Sequence, residues 1–116
     1  MDQLERDELY ISHILIAAEH VGQFIIDVTY EKYLKDLMLQ NALVKELEVI
    51  GEAARRLSAD FIIKNDKIDW KQIIGMRHKL VHDYFEINLK EVWDTANNDV
   101  PKLKKALGKI NTGGNL

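Results

Sequence analysis

The chain has 116 residues, 47% of them hydrophobic and 30% charged, which fits one soluble globular domain with a single core. The absence of cysteine excludes disulfide bonds and thiolate zinc sites, and the formal net charge of −3 argues against general coating of nucleic acid. The N-terminus is acidic, and the apolar run from Ile14 to Ala18 is too short to span a bilayer, so we expect a cytoplasmic protein.

The first half of the chain has the apolar spacing of two long helices. The first predicted helix starts at a capping box of Asp2 and Glu5 and ends near Thr29, which is predicted to cap a following turn. Its predicted buried stripe is Leu4, Ile11, Ile14, Ala18, Val21 and Ile25. The second is predicted to pack along a seam of Leu43, Leu47, Ile50, Ala54, Leu57 and Phe61, before residues 65–67 interrupt the pattern.

Two further helices have strong start signals, because Asp69 with Gln72 and Asn88 with Glu91 each form a polar capping box. Pro101 predicts a kink or a restart within the last helix. Its predicted buried stripe is Leu89, Val92, Ala96, Val100, Leu103, Leu107 and Ile110.

No useful two-residue alternation appears, so we expect no strands. The patterns together predict an all-α protein, an antiparallel four-helix bundle with short additional helical turns. We expect a single helical domain over residues 1–110 and a flexible tail over residues 111–116.

The stretch from Gly75 to Tyr84 concentrates an arginine, two of the four histidines and a tyrosine within a few residues. Its residues able to carry chemistry are Arg77, His78, Lys79, His82, Asp83 and Tyr84. The stretch from Lys64 to His82 has five basic and two acidic residues, a balance of +3. Such a run is also typical of a solvated helix face, so by itself it does not establish a site.

One alternative for this segment is a metal site, since His78 and His82 have the i, i+4 spacing of a helical metal-binding pair. The residues between them include no glutamate to act as a base, and Lys79 would place a positive charge beside the metal. No Glu-x-x-His motif for a di-iron site occurs elsewhere. We therefore expect no metal site, while a charged surface without catalysis stays open.

Arg77, followed after four residues by His82-Asp83-Tyr84, resembles the R-x4-H-x-Y signature of HepT-like toxins, a branch of the HEPN superfamily. The resemblance extends over nearly the whole chain. It includes the segments Leu47–Arg55, Asp69–Gly75 and Val92–Thr95, the last followed by Asp99-Val100-Pro101. His78 is a departure, because many relatives carry asparagine after the arginine.

The resemblance implies a metal-independent endoribonuclease, the toxin of a type II toxin–antitoxin system, with Arg77 and His82 as catalytic residues. His78, Lys79 and Asp83 are expected to support them. Histidine can transfer protons near neutral pH, and arginine can hold phosphate oxygens in a bidentate fork.

The resemblance also implies a partner, a minimal nucleotidyltransferase antitoxin that uses ATP and Mg²⁺ to attach AMP to Tyr84. RNA cleavage itself is expected to need no cofactor. The alternative function is a non-catalytic helical subunit that helps a nucleotidyltransferase to hold its substrate.

On a regular helix, Arg77 and His82 would lie about 140° apart around the axis and ~7.5 Å apart along it. They would then not face one stripe together, whereas His78 would lie about 40° from His82. Either the helix distorts or ends near His82, or two subunits line a shared cleft with one pair each. Because the resembled family forms such dimers, we expect a homodimer.

Overall fold

The computed structural model describes residues 1–76, the backbone of residues 81–83, and residues 86–110. Its helices are α1 (Gln3–Phe24), α2 (Tyr30–Leu34), α3 (Leu37–Arg55), α4 (Ala59–Lys64), α5 (Trp70–Ile74), α6 (Leu89–Asp94) and α7 (Val100–Gly108). A π-helical turn, Thr95–Asp99, joins α6 to α7. Strands β1 (Val81–Asp83) and β2 (Glu86–Ile87) pair antiparallel. The described part is mostly helical, as predicted, but the expectation that strands are absent is wrong.

The helix starts follow the capping residues closely. At the three predicted capping boxes the N-cap bond is confirmed, since the side-chain oxygen of the first residue accepts from the backbone N–H three residues later. The same contact starts three more helices, at Thr29, Asp36 and Ser58. Because each cap is a local hydrogen bond, the sequence signal for it does not depend on the tertiary fold.

The core lies mainly between the two longest helices, α1 and α3, with α7 and the π-helical turn also packed on α1. Nearly all the residues of the three predicted stripes are buried or half-buried, including Phe61 on α4. Leu4 is the exception, since it is 57% exposed in the first turn of α1. The seam predicted for the second helix is divided between two helices, because α3 ends at Arg55 and α4 starts after Ser58.

A buried carboxylate explains the break between α3 and α4. Asp7 on α1 is only 5% exposed and accepts hydrogen bonds from Ser58 N at 2.8 Å and Ser58 Oγ at 2.6 Å. Burying an unpaired carboxylate is costly, so these two bonds hold the start of α4 against α1.

Pro101 has the predicted effect on the last helix. The π-helical turn ends at Asp99, and α7 starts with Pro101 in its first turn. Proline cannot donate to the carbonyl four residues earlier, that of Asn97, and its ring crowds that oxygen, so the regular ladder is interrupted here. Asn97 Nδ2 donates to Trp93 O at 2.9 Å and supports the interrupted turn.

The long helices predicted first, second and last are present in the structure. The predicted third main helix starts at the expected cap but has five residues in α5, so the four-helix bundle stays a prediction. The predicted tail, residues 111–116, lies outside the described residues.

Candidate active site

The segment from Gly75 to Tyr84, which contains the predicted site residues, lies largely outside the described residues. Arg77, His78, Lys79 and Tyr84 are outside them, whereas His82 and Asp83 are described as backbone in β1. The expectations for these side chains therefore stay predictions. The backbone of the segment and the parts of the chain on either side of it can be described.

His82 lies in extended backbone and not in a helix. Val81 pairs with Ile87 and Asp83 pairs with Glu86, so β1 has one residue more than β2 between the two pairs. His82 is that extra residue, and the register shift at this point is a β-bulge. Bulges are frequent beside active sites, because they interrupt strand pairing and change the direction of a side chain.

The bulge corrects two geometric expectations. The angle between Arg77 and His82 was calculated for a regular helix with about 100° per residue, and β1 is not helical. For the same reason His78 and His82 do not have the i, i+4 geometry of a helix. The chain thus leaves helical conformation before His82, which was one of the alternatives left open. A helical histidine pair for a metal is excluded at these positions.

The segment is anchored on its N-terminal side. Trp70 in α5 is 4% exposed, its Nε1 donates to Asn65 O at 2.9 Å, and its ring packs edge-on against Phe61. Met76, directly before Arg77, is also 4% exposed. The position at which the chain reaches Arg77 is therefore determined by buried contacts.

An aromatic cluster anchors the C-terminal side. Tyr33 is fully buried, and its hydroxyl donates to the carbonyl of Leu89, the first residue of α6, at 2.7 Å. Its ring centre lies 4.8 Å from that of Trp93, and Tyr30 packs against both. Burial, and to a lesser extent the nearby Tyr30 phenol, raises the pKa of Tyr33 to about 12, so this hydroxyl keeps its proton and stays a donor. The start of α6, two residues after β2, is thus held to α2.

The region beside α5 contains lysines without partners among the described side chains. The ion pairs between described residues join Arg55 and Arg56 to Glu52, Lys90 to Asp94, Lys104 to Glu19, and His20 to Glu46, whereas several lysines elsewhere, among them Lys32, Lys35 and Lys45, form none. Lys67, which precedes α5, Lys71 within α5 and Lys102 on α7 also form none. Their charges are therefore available to an anionic ligand.

A cavity of about 170 Å³ separates α5 from α7. Lys67 and Lys102 both line it, together with the carboxylates Asp69 and Asp99 and an apolar floor that includes Met76. Lys102 was not among the predicted site residues, because it follows His82 by twenty positions and only the packing of α7 brings it beside α5.

No three histidine, aspartate or glutamate side chains come close enough to hold a metal ion in the part of the chain that the structure describes. None of the helices of that part is long and apolar enough to cross a membrane.

The chain is similar to ribonucleases. A family model described as Ribonuclease HepT-like matches residues 14–110. A "Putative RNase" of Caldanaerobacter subterraneus subsp. tengcongensis is 39% identical over 101 residues, 87% of this chain and 90% of the relative. A "Putative RNase" of Methanocaldococcus jannaschii is also 39% identical over 101 residues, covering 87% and 84%. "Probable ribonuclease HepT" of Thermococcus cleftensis is 34% identical over 87% of this chain and 92% of its own. No solved structure matches the chain.

Proposed function

The chain belongs to the HepT-like ribonuclease family, and on that premise we propose that it is a metal-independent endoribonuclease toxin with Arg77 and His82 as its catalytic pair. The observation that carries the proposal is the backbone at His82, the extra residue of a β-bulge between two anchored parts of the chain. The anchored parts on either side favour a defined position for this residue, which a proton-transferring group needs because its rate depends on its position.

The proposed reaction is a transesterification. His82 accepts the proton of the 2′-hydroxyl, whose oxygen attacks the adjacent phosphorus, and the 5′-oxygen leaves with a proton from an acid group. Arg77 holds the phosphate oxygens on which negative charge accumulates in the transition state. The products are a 2′,3′-cyclic phosphate and a 5′-hydroxyl, and DNA is not cut because it lacks the nucleophile.

The unpaired lysines support an RNA substrate. Lys67, Lys71 and Lys102 lie in or beside α5, the helix that leads into Arg77, and RNA offers one phosphate per nucleotide to such charges. His78, Lys79 and Asp83 are proposed to assist, His78 by orienting His82 or a phosphate group and Lys79 by contacting the RNA backbone.

The proposed enzyme is a homodimer in which two Arg77–His82 pairs line one cleft. Two histidines in one cleft would supply both the base and the acid that the reaction needs. Sedimentation equilibrium at micromolar concentration is expected to give twice the 13.4 kDa mass of the chain. A single species of monomer mass would remove the shared cleft from the proposal.

The proposed regulator is a minimal nucleotidyltransferase antitoxin. It would use ATP and Mg²⁺ to attach AMP to Tyr84, which lies two residues after His82. A bulky anionic group at this point of the chain would fill the cleft and repel RNA phosphates.

Incubation of the purified chain with a labelled oligoribonucleotide in excess EDTA tests the proposed function. We expect cleavage at the rate seen without chelator, cyclic phosphate ends detectable by mass spectrometry, and no cleavage of the matching deoxyribonucleotide. Loss of cleavage in EDTA would indicate a metal nuclease. RNA binding without any cleavage would favour the alternative, a non-catalytic substrate-holding subunit.

A further inference from the structure

We propose that Gly51 on α3 is a positioning residue for the catalytic segment, because its missing side chain determines how closely α5 approaches α3. This inference rests on the proposed function. Gly51 is buried within α3, four residues before its end at Arg55, and a glycine inside a helix weakens it relative to alanine. A residue that destabilises its own helix is expected to be there because a neighbouring element packs closely against it.

The contact is with the backbone of α5. A Cβ atom at position 51 would lie 3.3 Å from the carbonyl oxygen of Ile73 and 3.9 Å from that of Ile74. The first distance is shorter than ordinary van der Waals contact, so α5 would have to move by a few tenths of an ångström. The atoms displaced are main-chain atoms, which cannot rotate away as a side chain would.

The displacement would reach the site directly. Ile74 is three residues before Arg77, and the buried Met76 connects them. A shift of the last turn of α5 is therefore passed along the main chain to Arg77. Misplacement of a reacting group by about 1 Å can cost 10²-fold in rate, so a few tenths of an ångström is expected to cost about tenfold.

The fold has room for this shift. On its side facing α7, α5 borders the cavity of about 170 Å³, to which Ile73 and Leu103 contribute. A helix pushed away from α3 can move into empty space and need not unfold. Gly51→Ala is therefore expected to change the position of α5 without abolishing the fold.

Gly22 provides a matched control. It lies in α1, and a Cβ atom there would meet nothing within 4 Å. Gly22→Ala adds the same methyl group to the last turn of a helix, where it also favours helical conformation, without touching another element.

The experiment compares the two alanine variants in cleavage of a labelled oligoribonucleotide, in thermal unfolding, and in the NMR signals of the two indole N–H groups. For Gly51→Ala we expect kcat to fall about tenfold, KM to stay within about twofold, and Tm to stay within a few degrees of the wild type. The Trp70 indole signal is expected to shift, because this donor is in α5, while that of Trp93 is unchanged. Gly22→Ala should match the wild type in kcat and in both signals.

A kcat for Gly51→Ala within twofold of that for Gly22→Ala overturns the inference, whether or not Trp70 shifts. An unchanged Trp70 signal overturns it as well, since α5 would then not have moved. If the wild type cleaves no RNA, the proposed function fails by itself; a shifted Trp70 signal would then still establish the contact between Gly51 and α5.

A second pair of variants covers the case in which Gly51→Ala does not fold. Leu103→Ala enlarges the cavity beside α5, whereas Leu107→Ala removes the same atoms one turn later on α7, at a buried position that does not line the cavity. Both should lower Tm, but only Leu103→Ala should shift the Trp70 signal and lower kcat at a temperature where both variants are folded. Equal kcat values for the two variants would contradict the dependence of catalysis on the position of α5.

Discussion

Replacing His82 by alanine is expected to reduce RNA cleavage by about 10²–10⁴-fold, because a positioned acid–base group typically contributes that factor. Arg77→Ala should lower kcat by about 10²–10³-fold through the loss of charge stabilisation in the transition state. Both residues follow the anchored α5 and precede the anchored α6, so the melting temperatures of the variants should stay close to that of the wild type. Initial rates with a labelled oligoribonucleotide and thermal unfolding curves measure the two effects separately.

His13 supplies the control for the histidine variant. It lies exposed on α1, far from the motif in the chain, and His13→Ala should leave both kcat and the melting temperature unchanged. An active His82→Ala variant, particularly one whose cleavage stops in EDTA, would exclude the proposed Arg77–His82 mechanism.

Tyr84→Phe is expected to abolish neutralisation by the nucleotidyltransferase while retaining at least part of the RNA cleavage. The substitution removes only the phenolic oxygen, the proposed site of AMP attachment, and a phenol with a pKa near ~10 is a poor base at neutral pH. After treatment with the antitoxin, ATP and Mg²⁺, the wild type should lose its activity and gain the mass of AMP on the peptide containing Tyr84. The phenylalanine variant should show neither change.

Tyr10→Phe provides the comparison, since Tyr10 lies on α1 and should have no part in neutralisation. That variant should be silenced like the wild type. If Tyr84→Phe is silenced equally well, the antitoxin must act by covering the cleft, and Tyr84 is not the point of control.

The parts of the fold that were predicted correctly depend on short-range interactions. The capping residues Asp2, Asp69 and Asn88 each bind an N–H three residues away, and Pro101 interrupts its own helix. The buried stripes follow from helical periodicity, because residues three or four apart share a face whatever that face packs against. The prediction that Leu4 is buried was wrong. Leu4 lies in the first turn of α1, where the apolar periodicity continues but no neighbouring element covers the side chain.

The hairpin was missed for a physical reason as well. Strands of three and two residues are too short to show an alternation of apolar and polar residues. In addition, the bulge in β1 interrupts the alternation of its side chains. The break between α3 and α4 has a local signal in the cap at Ser58, but Asp7, which holds Ser58 in place, lies 51 positions earlier in the chain. Apolar spacing alone continues through the break and suggested a single seam.

The sequence by itself determined the helical class, the helix starts at Asp2, Thr29, Asp69 and Asn88, most of the core and the family of the chain. Local hydrogen bonds, periodicity and residue order can all be read along the sequence. Only the tertiary structure decided that His82 lies at a bulge, that Lys67 and Lys102 line the same cavity, and that Gly51 lies against the carbonyl of Ile73. Each of these depends on how two distant segments pack. How closely two segments pack depends on the size of the residues between them, and at position 51 the lack of a Cβ atom lets α5 approach α3.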